Sequence, residues 1–373
     1  MIEPIRILHI LQRMEAGGTQ ALLMSIYRKI DRSKVQFDFV VEYPDKQFYD
    51  DEITALGGKI YYTSVRKDLN VMKFQRELYQ ILKEHTEYKI VHVHAYTIGY
   101  FCLRTAQKAG VPVRIAHSHS NGIVHDKKYF IKLLMQKLFL VHATDFMACS
   151  EEAGKYLFKG KDYVVLNNAI DSSKFIANMA VRNDLRDELG LNDKFVVGHV
   201  GRLCPEKNHK FLIDVFAQIK KIKKNAVLVL VGKGPLEQEI RQDVFDMGLT
   251  ENVLFLGNRK DMARIYQAMD VFVFPSLFEG LGIVAVEAQT AGVPVVGSEG
   301  IPPEIEITPI FYRVNIMDGA RKWAEVAVDA TQNSFCHTNL QQYVIEAGFD
   351  MDATANMIQK YYLERYRCQL KTK

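Results

Sequence analysis

The sequence predicts an α/β protein made of two open parallel-sheet units, each with helices on both faces of its sheet. Three observations carry this reading. The chain has 373 residues, more than one hydrophobic core usually organises. Short apolar runs alternate with amphipathic segments from end to end, the pattern of strand–helix–strand crossovers. The alternation breaks once, around 160–194, and then restarts in the same style.

In the first half the expected strands are 5–11 (IRILHIL), 35–41 (VQFDFVV), 59–63, 89–94 (KIVHVH), 111–117 (VPVRIAH) and 145–150. Helical patterns lie between them at 20–30, 71–84, 98–109 and 127–142. The stretch VVLNNAIDSSKFIANMAVRNDL is polar and turn-rich and reads as a linker. The second half continues with strands at 194–200, 226–232, 252–257, 270–276 and 293–298, and helices near 207–224, 235–247, 259–268 and 282–291. A last helix near 352–367 has no strand after it. In open sheets of this kind ligands sit beyond the carboxyl ends of the strands, so the loops that follow the strands are the places to search.

Composition narrows the function. The apolar fraction is 48%, the charged fraction 25% and the net charge +4, ordinary for a globular enzyme and too weakly basic to argue for nucleic acid. Five widely spaced cysteines and no C-x-x-C motif argue for reduced thiols in a cytoplasmic setting. No signal-peptide pattern and no membrane-length apolar run is present, so the expected protein is neither secreted nor integral to a membrane.

The sharpest feature is PSLFEGLGIVAVEAQTAGVPVV, 275–296, which sets two acids, Glu279 and Glu287, eight residues apart in an apolar context. Lone buried acids are expensive, so two of them ask for a reason. Pro275 should end a strand and a helix should start near Gly282. Glu279 then lies in the loop and Glu287 in the first turns of the helix, on nearly one face. Gly280 and Gly282 remove side chains, and a helix N-terminus there favours an anion. The plainer reading makes Glu279 a cap and Glu287 a solvated helix residue, but the neighbours Ile283 to Val286 look buried.

The loop HVGRLCPEKNH, 199–209, follows another strand and offers Arg202 and Lys207 beside Gly201. Fixed cations next to small residues suit a pyrophosphate; a surface Arg and Lys at a turn is the alternative. Gly17 and Gly18 precede the first helix, an anion-friendly turn or simply a helix entry. VGKGPLEQE, 231–239, lacks the G-x-G-x-x-G spacing of a dinucleotide site. Two H-x-H pairs, His92 and His94, and His117 and His119, raise a metal reading. Against it, His92 and His94 are expected to be core histidines, with one of His117 and His119 facing a ligand cleft. Asp350 and Asp352 could hold a cation but fit better before a helix start. The helix expected at 126–143 carries Lys127, Lys128, Lys132 and Lys137 beside apolar residues. It is read as an ordinary domain helix, with a membrane-surface helix as the alternative.

GRLCPEKN, NVLFLGNRKD and the E-x7-E segment together resemble the nucleotide-sugar domain of retaining glycosyltransferases of family 4, which have the GT-B fold. RILHILQRMEAGGTQALLMSIYRKID, GVPVRIAHSHS and LNNAIDSSKF extend the likeness to the exopolysaccharide and capsule glycosyltransferases of bacteria. The resemblance implies two Rossmann-like α/β/α domains facing across a deep cleft. Residues 1–168 would bind the acceptor and 169–349 the donor, and a helix at 350–373 would pack back on the first domain. It implies a metal-independent hexosyltransferase without cofactor. Its partners would be a nucleoside-diphosphate sugar, a UDP-sugar by expectation, and a glycan or polyprenyl-linked saccharide acceptor. An anionic membrane surface is a further candidate partner. By the same resemblance Arg202 and Lys207 hold the diphosphate and Glu287 the ribose. Glu279 faces the sugar, and the backbone of Gly280, Leu281, Gly282 and Ile283 contacts sugar and phosphate. Asn258 and Arg259 line the base pocket, His119 or His117 meets the sugar, and Gly18 lets the first loop approach the diphosphate. Thr19 and Gln20 stand where the family usually has Ala-Glu, and Asn168 where it often has Gly. Two other readings are a metal-dependent hydrolase using His92, His94, His117 and His119, and a sugar-nucleotide-binding protein without turnover.

Overall fold

The structure, a computed structural model, describes residues 3–15, 18–94, 98–119 and 138–371. The chain divides into two compact units. The first holds the residues up to Ala169 together with those from Met351 on, and the second runs from Ile170 to Asp350.

The first unit is built on a seven-stranded parallel sheet with order β3-β2-β1-β4-β5-β6-β7. The strands are β1 (Ile5–Leu11), β2 (Val35–Val41), β3 (Ile60–Tyr62), β4 (Ile90–Val93), β5 (Val113–Ser118), β6 (Asp145–Ala148) and β7 (Val164–Val165). The second unit has a six-stranded parallel sheet with order β10-β9-β8-β11-β12-β13. Its strands are β8 (Phe195–Val200), β9 (Ala226–Val231), β10 (Val253–Gly257), β11 (Val271–Phe274), β12 (Val295–Gly297) and β13 (Phe311–Arg313). Strands such as VQFDFVV and VFVF are buried along their whole length, because helices cover both faces of a parallel sheet. In each sheet the order reverses once, between β1 and β4 and between β8 and β11. Such a reversal opens a crevice at the carboxyl ends of the strands.

The segment 160–194 differs from the expected linker. Val164–Val165 adds an edge strand to the first sheet, and Met179–Glu188 is a helix, started by the Asn178 side chain, which accepts from the amides of Ala180 and Val181. The helix reads as solvated because two of the three residues on its buried face, with Leu185, are arginines. Arg182 and Arg186 are about nine-tenths buried. They donate to the backbone carbonyls of Gln267, Ala268 and Met269 and share the carboxylate of Asp270. Further helices not read from the sequence include Glu151–Phe158 and Gly319–Ala330. The latter buries Trp323, the one tryptophan of the chain, against Phe211.

The C-terminal helix Met351–Lys371 packs on the first unit. It meets the helix Gly18–Lys29, where Lys29 bonds to Asp352 at 3.0 Å. Gln359 accepts from the amide of Asp31, and Tyr361 and Arg365 bond to Asp145. Asp350 instead accepts a bond from the Ser172 hydroxyl inside the second unit, so the two acids of FDMDAT serve separate units. Among the described residues no helix is long and apolar enough to cross a membrane. The lysine-rich segment expected to be a helix over 126–143 lies mostly outside the described residues, which show a short turn at Leu140–His142.

Candidate active site

The loops after β8 and β11, the two strands that flank the reversal of the second sheet, meet at their carboxyl ends. After β8 the chain makes a short turn, Pro205–Lys207, and Asn208 in a left-handed conformation starts the helix His209–Ile222. After β11 it runs through PSLFEGLG to a left-handed Gly282, which caps the helix Ile283–Thr290. Backbone bonds fasten these two loops to each other and to the loop after β12. The Leu277 amide donates to the Glu206 carbonyl at 2.8 Å and the Glu279 amide to the Gly300 carbonyl at 3.0 Å. A Cβ on Gly300 would lie 2.3 Å from the Leu277 carbonyl oxygen, so only glycine allows this approach.

Glu279 is buried and paired with Lys207, whose ammonium bonds to Glu279 Oε1 and lies 5.2 Å from the centre of the Phe274 ring. The Lys207 stem crosses Gly201, where a Cβ would stand 3.2 Å from Lys207 Cε. Glu287 is the fifth residue of its helix, half-buried, and accepts a 2.8 Å bond from the Tyr266 hydroxyl. Burial raises the Glu287 carboxyl to about 7, against the opposing pull of that bond. Gly280 faces open space, since a Cβ there would touch nothing within 4 Å. Leu281 and Ile283 are half-buried against the core. The first amides of a helix have no intrahelical partner, and together with the preceding glycines they make the entry to Ile283 receptive to an anion.

Beside this pair opens a cavity of about 400 Å³, lined by Gly201, Arg202, Gly232, Lys233, Asn258 and Arg259 among others. Arg202 and Asn258 are exposed, and Arg259 holds Asp261 with two bonds of 2.8 and 2.6 Å. The loops after β8 and β9 are pressed together here. Gly232 has φ +131°, and a Cβ on it would lie 2.0 Å from the Gly201 carbonyl oxygen. Beneath them His199, fully buried, donates from Nδ1 to the Val273 carbonyl at 2.9 Å, and burial keeps its ring neutral.

The second unit thus gathers Arg202, Lys207, Asn258, Arg259, Glu279 and Glu287 at neighbouring loop ends. Sequence reasoning missed two of its members. Lys233 belongs to VGKGP, which does not fit the dinucleotide spacing; its position after a strand is the usable signal. Tyr266, which holds Glu287, sits in an ordinary helical segment that gave no signal.

In the first unit Gly18 begins the helix Gly18–Lys29, and Gly17 lies outside the described residues. His92 and His94 are buried, as expected of core histidines, and His117 is buried with them. His119 is half-buried and bonds to His94 at 2.8 Å.

Both units have known relatives. The family described as "Glycosyltransferase Family 4" matches residues 16–174, and the one described as "Glycosyl transferases group 1" matches residues 181–308. The chain is 34% identical over 368 residues to a protein named as glycosyltransferase EpsF of Bacillus subtilis, covering 94% of this chain and 96% of that one. It is 28% identical over 312 residues, 79% of each chain, to UDP-Gal:alpha-D-GlcNAc-diphosphoundecaprenol alpha-1,3-galactosyltransferase of Escherichia coli. Among solved structures, Anabaena HepE in complex with UDP superposes with a TM-score of 0.77 at 20% identity, over 96% of this chain and all of that one. WaaG, a glycosyltransferase of lipopolysaccharide biosynthesis, gives 0.65 at 16% identity over 95% and 99%. Two parallel-sheet α/β units of this kind make the GT-B architecture. The chain belongs to glycosyltransferase family 4, and the hydrolase reading is not carried further.

Proposed function

We propose that this protein is a retaining hexosyltransferase that moves a sugar from a UDP-sugar to a glycan or polyprenyl-linked saccharide in exopolysaccharide or capsule synthesis. The observation that carries the reading is the Lys207–Glu279 pair beside a cavity lined by Arg202, Lys233 and Arg259. Family membership supports the reaction class. The UDP and UDP-glucose complexes of HepE support the donor. The diphosphoundecaprenol named for the E. coli relative and the capsular role named for CapM of Staphylococcus aureus support the acceptor and the setting.

In this reading the departing nucleoside diphosphate gains negative charge as the glycosidic bond breaks. Arg202, Lys207 and the amides at Gly282–Ile283 neutralise that charge, each donor contributing about 3 kcal/mol in a preorganised site. Glu279, held by Lys207, meets the hydroxyls of the sugar, and Glu287, held by Tyr266, accepts from the ribose. Asn258 and Arg259 border the base. The fixed cations do what a divalent ion does elsewhere, so no metal enters the transfer. No protein nucleophile is assigned, and the acceptor hydroxyl attacks from the face the diphosphate leaves. On the first unit His119 is the proposed sugar contact, being half-buried where His117 is sealed; Gly18 is assigned to the diphosphate side.

A panel of nucleotide sugars, with and without chelator, tests this by release of nucleoside diphosphate, and mass spectrometry of the product names the acceptor. One donor should be turned over regardless of chelator. Nucleotide binding without release would leave a binding protein, and loss of release on chelation would end the metal-free mechanism. Work at the cytoplasmic face of a membrane belongs to the same proposal. Failure to float with anionic liposomes would remove it.

A further inference from the structure

We propose that His9 and His94 are positioning residues that fix the tautomer of His119, holding its proton on Nδ1, so that it meets the donor sugar as a hydrogen-bond donor. The inference deepens the proposed function and rests on its assignment of His119 to the sugar. Strands β1, β4 and β5 are neighbours in the first sheet. His9 lies within β1, His94 directly after β4 and His119 directly after β5. Their rings form a row that starts in the core. His9 and His94 are buried, and His119 is half-buried. His9 Nδ1 lies 3.1 Å from His94 Nε2, and His94 Nδ1 lies 2.8 Å from His119 Nε2.

Burial keeps all three rings neutral; His9 and His119 are pushed down to about 3, and His94 is lowered with them. A neutral imidazole has one N–H and one bare nitrogen. His94 stands in both contacts and can donate in only one of them, so the row has two proton orders. In the outward order His9 Nδ1 donates to His94 Nε2, and His94 Nδ1 donates to His119 Nε2. The His119 proton is then on Nδ1. In the inward order His119 Nε2 donates to His94 Nδ1, and His94 Nε2 donates to His9 Nδ1. The His9 proton is then on Nε2.

The inner end decides between them. His9 Nε2 is buried without a partner, and its ring lies against Phe37 and Phe39, with centroids 4.4 and 5.5 Å away. The inward order would bury an N–H with no acceptor in reach, whereas the outward order leaves only a bare lone pair. Orphaned buried N–H groups are rarer than under-used acceptors, so the outward order holds. The neighbouring row has no such end. His117 Nδ1 lies 3.0 Å from His92 Nε2, and His92 Nδ1 lies 2.7 Å from the Tyr362 hydroxyl. A hydroxyl both donates and accepts, so that row can run either way, and it ends at the buried His117. The tautomer of a histidine follows from the bond its other nitrogen makes; for His119 that bond is itself set one ring deeper.

Full-length protein labelled with ¹⁵N in its histidine rings reveals each proton by long-range ¹H–¹⁵N NMR, with the spectra of His9→Phe, His94→Leu and His119→Asn assigning the peaks. His9, His94 and His119 should each carry the proton on Nδ1. In His9→Phe, which leaves His94 and His119 in place, His119 should lose its single form and show both tautomers. With the UDP-sugar that the parent turns over, His94→Leu should raise donor KM about tenfold and change kcat less, while His94→Asn, whose amide donates in place of Nδ1, should stay within about threefold of the parent. Loss of the ring by packing alone would not give that order. Should His94→Leu fail to fold, the parent spectrum and His9→Phe carry the test. A His119 proton on Nε2 in the parent, or an unchanged His119 tautomer in His9→Phe, overturns the proposal. Unchanged donor KM in His119→Asn would instead remove the sugar contact of the proposed function, and the parent spectrum would still decide the proton order.

Discussion

Replacing Glu287 by glutamine separates what the candidate site costs the fold from what it does. Burial raises the Glu287 carboxyl from an ordinary value of 4.5 to about 7. Between those values the native chain holds a proton that the unfolded chain has lost. The stability from this group is therefore full below about pH 4.5 and is lost as pH rises through about 7. Each tenfold in proton affinity is about 1.4 kcal/mol. Allowing for partial exposure, the ionised carboxylate then costs the fold about 2–3 kcal/mol at pH 8.5. Glutamine keeps an oxygen for the Tyr266 hydroxyl and cannot ionise, so Glu287→Gln should be more stable than the parent by that amount at pH 8.5 and equal to it near pH 4.5. Denaturant unfolding followed by fluorescence reads the correct unit, because the single tryptophan, Trp323, is buried in the second one. Burial lowers His199, His209 and His337 in the same unit. These gain stability as pH rises through the same window, so the difference between variant and parent is the quantity to follow. The nucleotide affinity of Glu287→Gln should meanwhile fall about tenfold, the worth of a charged hydrogen bond. A variant no more stable at pH 8.5, or equally stabilised at pH 4.5, would refute the reasoning.

Lys207→Ala should lower turnover by about 10²–10³-fold, as loss of a charge-stabilising donor does; near-normal turnover in a nucleotide-release assay would exclude the assigned role. Gly232→Ala forces a side chain into a left-handed backbone and against the Gly201 carbonyl. It should cost about 3 kcal/mol, read as an earlier Trp323 transition, together with weakened nucleotide binding. Asp270→Ala strands two buried guanidiniums and should destabilise the second unit by roughly 3–5 kcal/mol, visible in the same fluorescence transition and much larger than any effect on the C-terminal helix.

The eleven strands expected from apolar runs all form, some with ends one to three residues shorter. They were legible because a parallel sheet covered on both faces needs uninterrupted apolar stretches. The two that were missed, Val164–Val165 and Phe311–Arg313, are edge strands of two or three residues, too short to show a period. Met179–Glu188 was missed for a different reason: Arg182 and Arg186 read as solvent-facing, yet carbonyls and Asp270 satisfy them inside the fold. In the candidate site, the acids and Lys207 stood out because charge in an apolar context is costly. What one strand cannot reveal is a partner on another. That hid the bond from Tyr266 to Glu287, and it hid His9, which strand register sets beside His92 and a 3.1 Å contact joins to His94.

The helix Met351–Lys371 makes the first unit discontinuous along the chain, while the second is a single uninterrupted segment. During synthesis the amino-terminal sheet emerges first, yet Ile358, Tyr362 and the other helix residues that pack on it follow the whole of the second unit. The usual order, in which the leading domain completes itself while later ones are still being translated, is therefore unavailable to this protein. Its second unit is able to finish while the first waits, uncapped, for the helix Met351–Lys371 to leave the ribosome. Truncations at the carboxyl end should accordingly strike the half of the molecule that was translated first.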